Sequence, residues 1–412
     1  MQKIIFLILT SLYLGQSQSL SELTQVALEQ NLDLKILEKE YRAALERAPQ
    51  VSQLPDPEIG IGGFPLPVQT RLGPQVMRWS ATQKFPWFGV LESKENLELA
   101  KARAIQQRIA ARALNLKYEV EQAYFRLYEL QESQVIIQRN LKLLESLEQV
   151  ALAKVESGKA TMVDVLRVQL QLEEWKQELK ILAQLETKPE SVINQLLNRE
   201  LTTEIVILDS LEFVEIGIDR IAIARNISNQ HPMIKMYQLQ QEIAQNQLKV
   251  NELVNKPAFG IGVDYIFVNE RTDATFLDNG RDIVQFRATV SLPIYRKAYE
   301  AKAKEEQFKI EALDQQQTNT LSQFLTSIEQ AFADYESAKL RLELYQKQKE
   351  ITQVAINILE SNYSTANSDF EELLRSEKEL IEYDLKVLKA IVQNHLAKSA
   401  IERFVVWDEN TD

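Results

Sequence analysis

The sequence predicts a mainly α-helical chain with a β-barrel part, built as two tandem repeats of one unit. Three observations lead to this prediction. Glycine and proline are concentrated in short stretches, alternating apolar and polar residues fill those stretches, and the two halves of the chain match at a nearly constant offset. Each repeat is expected to consist of a helix, a β-hairpin, a long helix, a turn and a final helix.

The positions of glycine and proline predict the helices. Most of the 11 glycines and 11 prolines lie within residues 49–89 and 257–293, and neither residue occurs after Pro293. Helix interiors exclude them, because glycine costs about 1 kcal/mol and proline about 3 kcal/mol relative to alanine. Residues 90–156 are therefore expected to form one helix, which at 1.5 Å per residue is about 100 Å long. Helices of this length suit a coiled coil, a bundle or a tube rather than a compact globule.

The apolar residues of these helices follow helical spacing. One stripe starts at Val120 and recurs at i+3, i+4 and i+7, and a second starts at Ile328 with the same spacing. Lysine, glutamate, glutamine and arginine fill the positions between them. A long helix with one narrow apolar stripe packs sideways on neighbouring helices. An extended soluble coiled coil would show the same pattern, so the helices alone leave that alternative open.

The internal repeat has a long period. At a shift of 200 residues Pro57 matches Pro257, and at a shift of 208 residues Glu121–Tyr124 matches Glu329–Phe332. A period of this length indicates a duplication rather than a short solenoid repeat. The predicted segments, in chain order, are a first repeat at 19–199 with helix 20–48, hairpin 57–86 and long helices within 90–198; a linker at 200–217; a second repeat at 218–405 with helix 218–254, hairpin 257–294 and long helices within 296–405; and a C-terminal tail at 406–412.

The predicted hairpins alternate at period two. In the second hairpin Val284, Phe286 and Ala288 share one face, while Gln285 and Arg287 lie on the other. Each alternating run has 9–11 residues, which is the length that crosses a bilayer at a tilt. An apolar outer face and a polar inner face are typical of outer-membrane barrels, although a half-buried soluble sheet alternates equally well. Aromatic residues at the strand ends favour the barrel, because they suit a membrane interface. They are Phe85, Trp87, Phe88 and Tyr295.

The N-terminus has the pattern of a secretory signal peptide. Lys3 precedes an apolar run that begins at Ile4 and ends near Leu14, and small or polar residues follow at 15–18. We therefore expect a signal peptide at 1–18, with a buried N-terminal helix as the alternative. After residue 14 no stretch is apolar enough, over about 20 residues, to predict a membrane-spanning helix.

The number of predicted strands implies an oligomer. Two hairpins supply four strands, whereas the smallest filled barrels have about eight. Open strand edges cannot face lipid, because their N–H and C=O groups would have no partners there. Three chains related by cyclic symmetry would supply twelve strands and close the barrel. The same symmetry would gather the long helices into a tube.

Composition and motifs exclude several classes of function. The chain has no cysteine, which excludes disulfides, thiolate metal sites and a cysteine nucleophile. Its net charge of −12 makes nucleic acid an unsuitable partner. No catalytic motif is present, and the two histidines, His231 and His395, are far apart in sequence and are expected to be structural or solvated. The sequence therefore predicts no enzyme, no cofactor and no metal site.

These features together resemble the TolC-like outer-membrane efflux ducts. The resemblance covers nearly all of residues 19–405, and the segments Leu54–Pro57, Thr70–Gln75 and Gln83–Gly89 resemble its heavy-metal and cation efflux branch. The resemblance implies a homotrimer in outer-membrane lipid, with a 12-stranded barrel continued by a periplasmic α-helical barrel. It further implies a passive duct that works with an inner-membrane efflux pump and a periplasmic adaptor (membrane fusion protein), and that is closed at its periplasmic end by the helix turns.

The resemblance also assigns roles to residues at the two helix turns. The turn tips are Gly158 and Ala366. Asp164 and Tyr363 match positions that hold the closed tip by hydrogen bonds between helices, and Glu372 matches an acidic position in the narrowest ring. Ser368 occupies the place of an arginine that belongs to the same latch.

The residues themselves also suggest an acidic constriction. Three copies of Asp369, Glu371 and Glu372 would converge on the symmetry axis, where they would attract cations and repel anions. The alternative is that these acids only complement the N-terminus of the last long helix.

A different class of function is the runner-up. The chain would then be an exported soluble coiled-coil scaffold or the periplasmic adaptor itself. Adaptors place one helical hairpin between glycine-rich β-modules, whereas this sequence predicts two helical hairpins and little β-structure beyond the four strands. The pattern therefore favours the duct.

Overall fold

The structure, a computed structural model, describes residues 19–217, 219–273, 277–365 and 370–406. The chain divides into two compact units. The described residues within Met1–Ile36, Ile109–His231 and Leu321–Asp412 form the helical unit, and those within Leu37–Arg108 and Pro232–Thr320 form the sheet unit. The predicted signal peptide and all of the predicted tail except Val406 lie outside the described residues.

The elements follow one another in the order that the two repeats predict. They are α1 (Leu20–Gln30), α2 (Leu32–Leu45), α3 (Arg47–Val51), β1 (Glu58–Thr70), β2 (Gly73–Phe85), α4 (Val90–Glu156), α5 (Met162–Leu196), α6 (Arg220–Gln230), α7 (Pro232–Val254), β3 (Ala258–Val268), β4 (Ile283–Ser291), α8 (Lys297–Thr365) and α9 (Phe370–Glu402). The long helices α4 and α8 have 67 and 69 residues, and each contributes residues to both units.

The sheet unit contains one antiparallel sheet in the order β1-β2-β3-β4. Residues that are paired directly across neighbouring strands point to the same face of the sheet. The register therefore shows which residues form a row across the four strands and share a face. Ile61, Trp79, Tyr265 and Val284 form one apolar row across all four strands. A polar row on the opposite face is formed by Glu58, Thr82, Gly262 and Arg287. The alternation predicted for the hairpins therefore produces a sheet with one apolar and one polar face.

A glycine on the polar face makes room for a cross-strand contact. The guanidinium of Arg287 donates to Thr82 Oγ1 at 2.9 Å and lies 3.7 Å from the buried carboxylate of Asp264. A Cβ atom at Gly262 would stand 3.3 Å from that guanidinium and 3.1 Å from the Ala81 carbonyl oxygen. Glycine therefore lets the arginine side chain cross β3 without moving the backbone.

The first helix of each repeat is interrupted, which corrects the prediction of single helices at 20–48 and 218–254. The breaks that the two repeats share fall at Asn31 and His231, which are 200 residues apart, and a further break at Glu46 separates α2 from α3. Asn31 Oδ1 accepts the Asp33 N–H at 3.0 Å, so this side chain caps the helix that follows. His231 precedes Pro232, which has no N–H and begins α7.

The linker predicted at 200–217 forms neither helix nor strand. Carboxamide side chains bind its backbone instead, because each offers the donor and acceptor pair of a peptide group. Asn394 accepts from Val214 N at 2.9 Å and donates to Val214 O at 3.0 Å. Gln131 donates to Ile205 O at 2.8 Å and accepts from Ile207 N at 3.2 Å. The linker is thus held to α4 and α9 by side chains that replace a neighbouring strand.

The helical unit has its cores between the helices. One core surrounds Tyr124 and Leu127 of α4, and another joins Val165 and Leu172 of α5 to Ile381 of α9. Their apolar side chains repeat at three- and four-residue intervals, as packed helices require. The second of these cores reaches the helix turns and positions the candidate site.

Candidate functional site

The two helix turns place the starts of α5 and α9 side by side. Arg167 Nη1 of α5 lies 2.6 Å from Glu371 Oε2 of α9, and Lys378 Nζ of α9 lies 3.0 Å from Glu174 Oε1 of α5. In both pairs the two residues are 204 positions apart in the sequence. The two helices therefore run in the same direction, and each residue of α5 lies beside the residue of α9 that is 204 positions later. The pairs are seven residues apart, which is two helical turns, and their charges are reversed.

Asp164 caps its own helix. Its Oδ2 atom accepts from the backbone N–H of Thr161 at 3.1 Å and from the Thr161 hydroxyl at 2.9 Å. Gly158 supports the preceding turn with a φ of 69°, a left-handed conformation that glycine adopts easily. The described residues show no hydrogen bond between Asp164 and Tyr363. The latch role of this pair in an assembled tip therefore stays a prediction.

Tyr363 is held by Lys154, which the sequence did not single out. The Lys154 ammonium lies 3.7 Å from the centre of the Tyr363 ring and donates to the Tyr363 carbonyl oxygen. A cation there complements the C-terminal end of α8, where carbonyl groups are unpaired. The Tyr363 ring packs against Phe370 at 4.9 Å, and its buried hydroxyl has no hydrogen-bond partner among the described residues. Burial, followed by the charge of Asp164, raises the pKa of Tyr363.

The two described acids of the predicted constriction already have cationic partners. Glu371 pairs with Arg167, and Glu372 pairs with Arg375 one turn along α9. These residues line a cleft of about 590 Å³ at the tip. Its described lining carries three carboxylates and three cations, namely Asp164, Glu371, Glu372, Lys159, Arg167 and Arg375. The predicted site residues Asp369 and Ala366, together with Ser368, lie outside the described residues.

A carboxyl group near the tip has an unusual pKa. Glu377 of α9 is half-buried, and this burial, followed by the nearby charge of Glu360 on α8, raises the pKa of Glu377 to about 7. A carboxyl whose pKa is raised in the folded state keeps its proton up to a higher pH in that state than in the unfolded state. The contribution of Glu377 to stability is therefore most favourable below the ordinary pKa of 4.5. The free energy of unfolding decreases as the pH rises from 4.5 to about 7.

We expect Glu377→Gln to remove this pH dependence. At pH 8 the free energy of unfolding of the variant should exceed that of the wild type by about 1–2 kcal/mol, after solvent screening is allowed for, so the variant unfolds at a higher temperature. At pH 4 the two proteins should unfold at the same temperature. Thermal unfolding across this pH range is the measurement. Glu343→Gln, at an exposed position of α8, is the matched control and should leave the profile unchanged. A wild-type profile retained by Glu377→Gln would assign the pH dependence to other groups.

The predicted interface aromatics lie at the strand ends of the sheet unit. Phe85 is the last residue of β2, and the Trp87 ring stacks on Phe259 of β3 with ring centres 5.8 Å apart. Phe88 and Tyr295 are exposed over 81% and 83% of their surface. Two large aromatic side chains facing outward are costly in water and suit a lipid headgroup region.

The two histidines have structural contacts. His231 is buried against Phe324, and burial, followed by the charge of Arg403, lowers the pKa of His231 to about 4. His395 contacts the Glu212 carbonyl oxygen at 2.8 Å and packs on the Phe125 ring. Within the described ranges no three side chains are grouped so as to hold a metal ion. Among the described helices none has a sufficiently long apolar stretch to span a membrane.

The chain has the fold of outer-membrane channels of known structure. It is similar to the outer-membrane channel OprN, with 18% identity over 93% of this chain and 89% of that chain and a TM-score of 0.73. It is similar to CusC, with 13% identity over 96% and 95% of the two chains and a TM-score of 0.75. It is also similar to the open state of the MtrE outer-membrane channel of Neisseria gonorrhoeae, with 16% identity over 93% and 88% and a TM-score of 0.72.

The likeness to these channels concerns the fold. No protein-family model matches the chain, and no curated protein matches it in sequence. The fold that the resemblance to the TolC-like ducts implies for a single chain is confirmed, and the trimer with its 12-stranded barrel stays a prediction.

Proposed function

We propose that this protein is the outer-membrane channel component of a tripartite efflux system. Three copies form a 12-stranded barrel in the outer membrane, and their helices form a tube in the periplasm. The duct is passive and catalyses no reaction, while an inner-membrane pump and a periplasmic adaptor deliver the cargo. The shared fold with OprN, CusC and MtrE supports this proposal.

The two-faced sheet with open edges is the observation that carries the proposal. Large apolar side chains cover one face, and several are mostly exposed in the single chain: Ile59 at 80%, Ile61 at 72% and Phe286 at 82%. The outer strands, β1 and β4, each have a second edge that no described strand covers. A lipid-facing sheet must pair these edges, and pairing β1 of one chain with β4 of the next closes a ring.

Exposed stripes on the helices support the same assembly. They lie in the helical unit on α8 and near the start of α5. Apart from the adjacent pair Met162 and Val163, their members recur at three-, four- or seven-residue intervals. On α8 they are Leu340, Leu344, Ile351, Val354 and Ile358, and on α5 they are Met162, Val163, Leu166 and Leu170. Apolar stripes with this spacing suit neighbouring helices of other copies in a ring.

Membrane fractionation with a mass measurement tests the assembly. We expect the chain in the outer-membrane fraction, extracted only with detergent, and with the mass of three copies by light scattering. Conductance in a planar bilayer should accompany this species. A soluble periplasmic monomer would instead establish the runner-up, an exported coiled-coil scaffold or an adaptor.

We further propose that the tip cleft is the gate of the channel. Lys154 joins α4 to α8, and the Arg167–Glu371 pair joins α5 to α9. The α4–α5 hairpin is thus bound to the α8–α9 hairpin near the two turns. Glu371 and Glu372 form the constriction, together with Asp369, when three copies converge.

Replacing both glutamates tests this gate. We expect Glu371→Ala combined with Glu372→Ala to raise the single-channel conductance and to weaken block by divalent cations, because the acidic side chains that narrow the opening are removed. Glu174→Ala is the matched control: it removes an α5–α9 ion pair two turns farther from the tip. Unchanged conductance and block in the double variant would refute the constriction. An equal rise in Glu174→Ala would assign the effect to helix pairing.

A further inference from the structure

A second cleft in the helical unit lies away from the tip and is flanked by two arginines. It has a volume of about 410 Å³ and is lined by residues of α4, α8 and α9. Its lining includes Arg126 of α4, Arg341 of α8 and Gln393 of α9. None of these residues takes part in the gate proposed above.

The contacts between the helices place the two arginines at one level. Glu121 Oε2 of α4 accepts from Ser399 Oγ of α9 at 2.5 Å, so Arg126 falls opposite residue 394 in this antiparallel pair. Lys349 Nζ of α8 lies 2.5 Å from Asp384 Oδ1 of α9, so Arg341 falls opposite residue 392. Both positions adjoin Gln393. The two guanidinium groups thus flank the same point of α9 and can reach toward each other across it.

Neither arginine has its charge paired. Within the described part of the chain, Arg126 and Arg341 make no ion pair and no hydrogen bond, and both are exposed to the cleft. Glu129, one turn from Arg126 on α4, is beyond ion-pair distance. Burial raises the pKa of Glu129, and the nearby charges of Lys389 and Arg126 lower it by less. By contrast, Arg112 binds both Asp33 and Glu119. Two unpaired guanidiniums at one level are unexpected in a chain with a net charge of −12.

The rest of the cleft is shaped for a ligand with one anionic end. Beyond Gln393 the cleft is lined on α9 by Leu396 and by two small side chains, Ala397 and Ala400. Ser337 offers a hydroxyl between the two ends. The lining carboxylate, Asp334, lies seven residues from Arg341 along α8, which is about 10 Å. The two cations of the lining, Arg126 and Arg341, are therefore at one end of the cleft, while the Arg403 guanidinium lies over the ring of Tyr118, another lining residue.

We propose that Arg126 and Arg341 form a clamp for a dianionic phosphate group. A planar guanidinium donates two parallel hydrogen bonds to phosphate oxygens, and a dianion has enough oxygens and charge for both arginines. A monoanionic carboxylate satisfies one guanidinium and leaves the other unpaired. The phosphate is either the free ion or a group carried on a larger molecule that extends over Ala397 and Ala400. The clamp is independent of the channel activity.

Calorimetric titration of the purified full-length protein with inorganic phosphate tests the clamp. The titration is run at pH 8 in detergent, with the ionic strength held constant by chloride. We expect saturable binding, weakened at least tenfold by Arg126→Gln or by Arg341→Gln and abolished by the double variant. Arg139→Gln is the matched control, because Arg139 is an exposed residue of α4 outside the cleft. It should bind phosphate as the wild type does.

Further ligands separate the sources of the anion and the charge requirement. Sulfate should compete with phosphate, and acetate should not. Tighter binding of glycerol 3-phosphate than of inorganic phosphate would assign the cleft to a phosphate monoester, whereas equal or weaker binding would assign it to the free ion. No saturable heat in the wild type, equal loss in Arg139→Gln, or competition by acetate would overturn the clamp. Because the readout is binding alone, a failure of the channel proposal would leave this result intact.

Discussion

Phe286→Lys is expected to prevent assembly in the membrane, whereas Gln285→Lys at the adjacent position is expected to be tolerated. Phe286 lies near the middle of β4 on the apolar face, and Gln285 lies on the polar face. A lysine that faces lipid at the middle of a bilayer costs about 2–4 kcal/mol, and three copies would carry this cost at once. The same lysine in a polar lumen costs little.

This pair of variants separates the barrel from a soluble sheet. Both side chains are exposed in the single chain, so in water the two lysines would be tolerated alike. The measurement is the amount of detergent-extracted trimer recovered from the outer-membrane fraction. Equal recovery of both variants would contradict the lipid-facing assignment of the apolar face, and loss of Gln285→Lys alone would reverse the two faces.

Asn394→Leu is expected to destabilise the helical unit by about 2–4 kcal/mol. Asn394 is fully buried, and its carboxamide binds both backbone groups of Val214. Leucine has a similar volume but binds neither group, so the half-buried N–H and C=O of Val214 lose their partners, each at a cost in the lower part of the range of about 1–3 kcal/mol for a buried group. The measurement is the denaturant midpoint of the purified protein. Asn357→Leu, at an exposed position of α8, is the control and should change stability by less than about 0.5 kcal/mol. Equal midpoints in the two variants would show that the linker is held by other contacts.

The sequence predicted the long helices because breakers are absent from them. The bounds predicted for α4 agree with the structure, and α8 begins within a residue of its predicted start. The break at His231 could have been predicted from Pro232, since proline ends a preceding helix and starts a new one well. The break at Asn31 has no such signal. Its cap is defined by a buried contact in which Asn31 Nδ2 donates to the Leu196 carbonyl oxygen, 165 residues away.

The candidate site was only partly predictable for a similar reason. The spacing of Thr161 and Asp164 is a capping-box pattern, so the local bond of Asp164 could have been expected from the sequence. Lys154 could not have been placed on the Tyr363 ring. Periodicity tells which face of a helix is apolar, but the partner of that face depends on a register between segments 200 residues apart.

The reversed charges between α5 and α9 limit how these two helices can move. A slide of α9 by seven residues would keep apolar side chains against the seam, so apolar packing alone would permit it. In one direction, however, the slide brings Lys378 to Arg167, and in the other it brings Glu371 to Glu174. Each slide replaces attraction with repulsion, with about 0.2–1 kcal/mol at stake for each exposed pair. The two ion pairs thus favour the observed register: α9 can roll or tilt against α5 with both pairs kept, whereas a slip by a heptad is disfavoured.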